Sequence, residues 1–289
     1  MMSFELLEPR SLSEAAALLD ADEPPARAIA GGTAVMLMMK MGVFRPGRLV
    51  SLRGIESSYS GIVAEPDGGL RLGAMATLSA LERSATVGSR APVMTRALRT
   101  LSNVRVRNVA TLGGHLAHAD PHMDLPPVLI ALGARVSTVA PRGGRTFPLE
   151  QLYTGYLETT LSRGELVAEV TIPRPGARRA AYLKCTARSA DDWPALGVAV
   201  ALDIDDNLVV RGARVVISAA TDTPVRLSRA EDALRGVRVD EAVLRRAGDA
   251  AAGEAVIVSD AHGSAAYKRE LVRVYIARAI RSALGQNSK

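Results

Sequence analysis

Ala30-Gly31-Gly32-Thr33-Ala34 and, further along, Val106-Arg107-Asn108-Val109-Ala110-Thr111-Leu112-Gly113-Gly114-His115 are the two stretches on which the fold turns. Each carries a Gly-Gly pair beside a hydroxyl residue. Glycine tolerates positive φ and lets the backbone come close to another group. Unpaired N–H groups in such a loop, followed by a helix N-terminus, make an anion site. A single Gly-Gly pair reads as an ordinary turn, whereas two in one chain point to a phosphate-bearing ligand. No G-x-G-x-x-G run is present, so a Rossmann dinucleotide site is not supported.

Around the first pair, residues 1–53 read as a small α/β unit. Ser11-Leu12-Ser13-Glu14 has the form of a capping box, and Leu12, Ala15, Ala16 and Leu19 share one helix face. Asp22-Glu23-Pro24-Pro25 breaks that helix. Residues 27–30 form a buried strand, 35–41 a short helix stopped by Gly42, and 48–52 another strand.

Around the second pair a larger unit extends over residues 55–173, with strands at 70–73 and 165–172. Helices start at Thr77 and at Pro92, a tolerated first-turn proline. The second Gly-Gly reads as a turn. A helix over 125–132 ends at Gly133, and a hairpin turns at Pro141-Arg142-Gly143-Gly144. The Pro-Arg-Pro-Gly run at 173–176 marks the best domain boundary. Beyond it come strands at 181–188, 196–204 and 208–219, with a turn at Asp205-Asp206-Asn207. Three helices follow. The first is capped by Ser228-Arg229-Ala230-Glu231 and the second starts at Asp240. The third spans 264–284, with Ala266, Leu271, Val274, Ile276, Ala277 and Ile280 as its apolar side.

Other residues could carry chemistry. His115, His118 and His122, with Asp120 or Asp124, invite a metal reading, but the spacing matches no usual zinc pattern and Pro121 interrupts the segment. Asp124 also reads as the N-cap of the helix at 125. Lys184 reads as a strand lysine in an ion pair, Cys185 as a buried structural cysteine, and Trp193 as a core or interface residue.

Composition narrows the class. At 289 residues, the chain suits two domains better than one. Its 48% apolar and 23% charged residues are ordinary globular proportions, which exclude a disordered or coiled-coil chain. The densest apolar run, 35–39, is far short of the ~20 residues of a membrane span. Residues 1–10 do not resemble a signal peptide. With Cys185 alone, no internal disulfide can form, and a reducing cytoplasm is the expected location. One thiolate cannot hold an iron–sulfur cluster, which needs about four. The net charge of +6 raises a nucleic-acid partner, but the basic residues are scattered and aromatics are few, so no nucleic-acid partner is expected.

The two glycine runs, with Ala119-Asp120-Pro121 and Asp124-Leu125-Pro126 after them, stand in the order of a known family. The chain resembles the FAD-binding medium subunit of molybdenum hydroxylases, the group of aerobic carbon monoxide dehydrogenase and xanthine dehydrogenase. The resemblance extends to Thr154-Gly155-Tyr156, Thr171-Ile172-Pro173 and the Ser264-Ala265-Ala266-Tyr267-Lys268-Arg269 opening of the last helix.

This resemblance implies an α+β fold of the p-cresol methylhydroxylase/vanillyl-alcohol oxidase (PCMH/VAO) type. Two α/β subdomains, about 1–54 and 55–176, would form the FAD-binding domain. A C-terminal domain, 177–289, with a three-stranded antiparallel sheet and helices, would complete the flavin pocket. The resemblance places Ala30, Gly31, Gly32, Thr33 and Ala34 with Thr111, Leu112, Gly113, Gly114 and His115 around the FAD pyrophosphate, with Asn108 in support. Asp124 would contact the ribose or ribityl part, and Lys184 would lie near the isoalloxazine ring. Arg188 and Asp191 would shape the acceptor side. Ala34 stands where members often carry Ser or Asp, which implies one polar contact fewer. No catalytic residue and no metal ligand are assigned.

The implied function is electron transfer. A large molybdenum-cofactor subunit would oxidise the substrate, and a small subunit with [2Fe–2S] clusters would feed the FAD here. The external acceptor would be NAD, a quinone, a cytochrome or oxygen, and the complex a dimer of heterotrimers. A stand-alone flavoprotein oxidase of the same superfamily is the alternative.

Overall fold

The protein is described here by a computed structural model covering residues 3–21 and 26–286; the expected helix break at 22–25 lies outside the described residues. In the first unit β1 (Glu5–Leu7), α1 (Leu12–Asp20), β2 (Ala26–Ile29), α2 (Thr33–Lys40) and β3 (Arg48–Ser51) follow in order. The strands form a parallel sheet ordered β1-β3-β2. Ser11 caps α1 by accepting the Glu14 N–H at 3.0 Å. The Glu14 carboxylate reaches back to the Arg10 N–H rather than to that of Ser11. Leu12, Ala15, Ala16 and Leu19 are buried with Val50 and Leu52, as their period predicts. Leu166 and Ala168, from a strand of the next unit, close this core. Helix α2 starts two residues earlier than expected, because Gly32 at φ 73° turns the chain directly off β2.

The second unit contributes β4 (Ile62–Ala64), β5 (Leu70–Gly73), α3 (Leu78–Arg83), α4 (Ala85–Arg90), α5 (Pro92–Arg99), α6 (Val104–Val109), α7 (Leu112–His118), α8 (Leu125–Leu132), β6 (Arg135–Val139), β7 (Thr146–Pro148), β8 (Tyr153–Gly155), β9 (Glu158–Thr159) and β10 (Leu166–Ile172). Its main sheet is antiparallel, ordered β4-β5-β10-β6-β7. The second Gly-Gly is not a turn: Gly113 and Gly114 lie in the first turn of α7. Thr111 caps that helix through the Gly114 N–H at 3.2 Å. A Cβ on Gly113 would stand 2.7 Å from the Ala74 Cβ, so close packing, not chain reversal, explains this glycine.

The C-terminal unit holds β11 (Arg179–Cys185), β12 (Leu196–Ile204), β13 (Val210–Ser218), β14 (Val225–Arg226), α9 (Ser228–Leu234), α10 (Glu241–Glu254) and α11 (Ala265–Ala283). The three expected antiparallel strands are joined by the two-residue edge strand β14. Strand β12 is buried on both faces. Val198, Val200 and Leu202 join the core with α10 and α11, while Ala199 and Ala201 join the second unit's core. Alternation puts these sets on opposite faces, and alanine lets α8 pack closely.

Two C-terminal expectations need correction. Ser228 is the first helical residue of α9, and its hydroxyl donates to Glu254, so it caps nothing. Glu231 instead accepts from Arg226 and from the Val215 N–H, a buried use that a capping pattern cannot reveal. On α11 the buried residues are Lys268, Val272, Ile276, Ala279, Ile280 and Ala283, while Ala266 and Val274 face solvent. Close approach to α10 at Gly248, where a Cβ would meet the Arg273 carbonyl at 2.7 Å, and the inward pull on Lys268 set this rotation.

Candidate functional site

The two glycine runs meet in space. A Cβ on Gly31 would lie 2.7 Å from the Val109 carbonyl carbon and 2.8 Å from the Ala110 Cα; a Cβ on Gly114 would come within 3.8 Å of the Ala30 Cβ. Their donors are not equivalent. In α7 the N–H groups of Leu112, Gly113 and Gly114 already bond to Ala76 O, Ala74 O and Thr111 Oγ1. Among the described residues, no protein acceptor takes the N–H of Gly31, Gly32, Thr33, Ala34 or Val35. The first run is thus a nest of free donors at a helix N-terminus, where anions are favoured. The second run is the wall against it. Thr33, Asn108 and Gly114 face solvent, while Thr111 and Leu112 are interior. Asn108 is oriented by the Ser79 hydroxyl, which donates to its Oδ1 at 2.7 Å. Ala34 offers only backbone.

Helix α6 leads from this cradle to a cleft. Its six residues span roughly 9 Å at 1.5 Å per residue. Past its N-terminus lies a cavity of about 500 Å³ lined by Ser102, Asn103, Arg188, Asp191, Asp192, Trp193, His262 and Ala187. Ser102 holds φ 54°, a left-handed conformation costly for a non-glycine residue. Arg107 imposes it: its guanidinium donates to Leu101 O and Ser102 O at 3.1 and 2.6 Å and pairs with Glu82. Arg188 is 87% exposed and lies 3.3 Å from Asp192, so it is a solvent-screened charge on the rim. Trp193 is no core residue; it stands half-exposed on the cleft wall.

Lys184 and Asp124 meet beneath this cleft. The Lys184 ammonium donates to Thr100 O at 2.7 Å, Asp124 Oδ2 at 3.1 Å and Asp192 O at 3.3 Å, which uses all three protons. Tyr182 donates to Asp124 Oδ1 at 2.5 Å. Burial pushes the Asp124 carboxyl above its ordinary range, against the pull of Lys184 and Tyr182. Burial and the neighbouring carboxylate also raise the Tyr182 hydroxyl, which keeps it a donor. Asp124 makes no side-chain cap to α8, so its pairing across the units displaces the capping role. Cys185 is half-buried beside the C-terminal core rather than fully enclosed.

The three loop histidines diverge. His115 turns inward; its Nε2 has no hydrogen-bond partner, and burial holds the imidazole down at about 3. His118 is lowered by burial as well. His122 reaches the C-terminal unit, with Nδ1 2.9 Å from Asp120 and Nε2 3.0 Å from Asp260. Among the described residues no group of three or more His, Cys, Asp or Glu is placed to hold a metal. No described helix is long and apolar enough to cross a membrane.

Sequence reasoning passed over Arg107, Tyr182, Asp260 and His262. Tyr182 carried a signal, since it sits two residues before Lys184 and so on the same strand face. Arg107 stands within the second glycine-bearing run and acts on Ser102 locally, whereas Asp260 and His262 become neighbours of the site only through long-range contacts.

Comparison with known proteins identifies two family descriptions. Residues 2–175 match the FAD binding domain in molybdopterin dehydrogenase. Residues 181–283 match the CO dehydrogenase flavoprotein C-terminal domain. The nicotine 6-hydroxylase medium subunit of Paenarthrobacter nicotinovorans is 32% identical over 273 residues, 94% of each chain. Among solved structures, a chain of carbon monoxide dehydrogenase from Hydrogenophaga pseudoflava superposes with a TM-score of 0.93 at 30% identity, over 99% of both chains. A chain of quinoline 2-oxidoreductase from Pseudomonas putida 86 gives 0.91 at 29% identity, again over 99% of both.

Proposed function

The chain belongs to the family of FAD-binding medium subunits of molybdenum hydroxylases, and on that premise we propose how its own residues hold the flavin and what it passes on. It is one oxidoreductase subunit of a multi-subunit complex. In our reading bound FAD would supply electron transfer between [2Fe–2S] clusters of a small partner subunit and an external acceptor. A large partner subunit holds the molybdenum cofactor and the substrate.

The observation that carries this reading is the run of free N–H groups from Gly31 to Val35 facing the wall of Gly113 and Gly114. Five unpartnered donors at a helix N-terminus fit a pyrophosphate. Gly31, Gly32, Thr33 and Ala34 grip it through the backbone, and Gly114 and the Asn108 amide border it. Thr111, Leu112 and His115 act from inside by fixing the turn of α7. The cleft past α6, with Trp193 and Ser102 among its walls, would hold the isoalloxazine ring. Lys184 and Asp124 lie below. With its protons committed, Lys184 contributes a fixed positive field rather than a movable proton. Arg188 and Asp191 border the acceptor side. No proton transfer is asked of the protein for electron entry.

The visible spectrum of the natively purified full chain, followed by chromatography of the pigment released on denaturation, tests the assignment. Free FAD near one per chain is expected. Absence of flavin after incubation with FAD and co-expression with the partner subunits refutes it. With the partners present, substrate should bleach the flavin band anaerobically; bleaching by substrate without them would favour the oxidase alternative.

A further inference from the structure

His122 sits between two carboxylates. Asp120 faces its Nδ1 at 2.9 Å and Asp260 its Nε2 at 3.0 Å. A neutral imidazole has one N–H and one lone pair, and a carboxylate can only accept. Both contacts are hydrogen bonds only if both ring nitrogens carry protons. The ring is therefore an imidazolium bridging two anions. It also joins two parts of the chain, since Asp120 and His122 belong to the α7–α8 connection and Asp260 to the segment between α10 and α11.

The bridge is anchored on its far side. Lys268 has no exposed surface, and its ammonium donates to Asp260 Oδ2 at 2.6 Å and to Ala219 O at 2.9 Å. The Ala219 N–H returns to Pro121 O at 2.8 Å, beside His122 in sequence. The flat face of the imidazole is used too. Trp193 stacks on it with ring centroids 5.4 Å apart and planes 17° from parallel, and His262 tilts against it at 4.9 Å. Trp193 and His262 are cleft residues. The indole is 51% exposed and has no other ring contact among the described residues, so His122 is the platform on which it rests.

We propose that His122 is a positioning residue for Trp193: as an imidazolium clamped between Asp120 and Asp260, it latches the C-terminal unit to the FAD-binding part and seats the indole on the cleft wall. Loss of one proton leaves a lone pair against a carboxylate, so one contact turns repulsive and the stacked indole loses its platform. The flavin consequence rests on the FAD reading above, because Trp193 bounds the space assigned to the ring. Facing His122 are the carboxylates of Asp120 and Asp260, the imidazole of His262 and, through Asp260, the Lys268 ammonium; His118 lies near Asp120. The two carboxylates outweigh burial and hold the His122 imidazolium above its ordinary range, while burial and His122 lower His262. The two rings therefore titrate apart.

Trp193 is the sole tryptophan of the chain, so its emission reports this contact directly. An imidazolium stacked on indole quenches it. In the flavin-free full chain, emission should rise in one titration centred above pH 6.5. His262→Gln should retain that step, and His122→Gln should abolish it and leave emission high throughout. Emission that stays flat from pH 5 to 9 in the wild-type chain, or a step that survives His122→Gln, overturns the proposal without any variant having to bind flavin. FAD affinity of the full chain, read by flavin fluorescence, should weaken about tenfold across the same step, the scale of one charge-assisted contact. Affinity independent of pH alongside a titrating indole would overturn the seating of the cleft wall. Failure to bind FAD at any pH would instead refute the flavin reading and leave the emission test standing.

Discussion

Gly114→Ala and Gly31→Ala separate a ligand cradle from ordinary tight packing. The Gly31 Cβ would have to enter the backbone of Val109 and Ala110, 2.7 and 2.8 Å away, where nothing flexible can yield. Overpacking of that kind costs about 1–3 kcal/mol, or roughly 2–12 °C in Tm for a chain of this size. Gly114 differs. Its Cβ would meet only the Thr111 hydroxyl oxygen at 3.0 Å and the Ala30 Cβ at 3.8 Å, and the position faces solvent. A helical alanine regains about 1 kcal/mol over glycine, which offsets the crowding at Thr111. Apo stability should therefore change by less than about 1 kcal/mol. The new methyl, however, narrows the gap between the two runs, into which the pyrophosphate fits. Loss of one charge-assisted hydrogen bond to phosphate is worth about 1.5–3 kcal/mol, so FAD Kd should rise about 10- to 100-fold. Thermal unfolding of the apo chain and titration with FAD measure the two quantities independently. Unchanged FAD affinity in Gly114→Ala, or a fall in Tm matching that of Gly31→Ala, would refute the cradle.

Lys184→Met should destabilise the chain by about 3–5 kcal/mol in urea unfolding, since Asp124 stays buried without its cation; the double variant with Asp124→Asn should recover part of the loss. Stability should also follow pH in a defined way. His122, raised in the folded state, contributes fully below its unfolded value of 6.5 and loses that contribution as pH rises through its folded value. Asp120 and Asp260, lowered in the folded state, contribute above 3.8 and lose it as pH falls. Tm should thus be highest between the two edges, and His122→Gln should remove the alkaline edge and shrink the acid one, because His122 also helps hold Asp120 and Asp260 low. Glu165, also held low, accepts from Arg145, Thr138 and the Ser162 N–H, which outweigh its burial. Glu165→Gln should cost about 1–3 kcal/mol at neutral pH and blunt acid unfolding, as read by circular dichroism.

Much of the local structure was legible because its causes are local. Helix α1, the β6–β7 hairpin and the β12–β13 turn follow from capping, Gly/Pro chemistry and period-2 alternation, which act within a few residues. Misreadings arose where a distant partner competes for a residue. Ser228 and Glu231 have the right spacing for a cap, but Glu254, Arg226 and the β13 backbone claim them. Asp124 has the right position for a cap, but Lys184 and Tyr182 claim it from another unit. Lys268 sits on the buried face of α11 because Asp260 and Ala219 offer it acceptors there, and no apolar period could reveal that.

By itself, the sequence determined the family, the flavin class and the two glycine runs, since close approach at Gly31 and Gly113 leaves no room for a side chain. Tertiary structure decided which run donates. Only in the fold do Ala74 and Ala76 use up the α7 donors and leave those of Gly31 to Val35 free. It also decided that Trp193 lines a cleft and that His122 bridges two carboxylates, one of them 138 residues away. The physical reason is the same in each case. Hydrogen-bond saturation and protonation depend on which groups meet, and across this separation that meeting is settled by packing of the units rather than by neighbours along the chain.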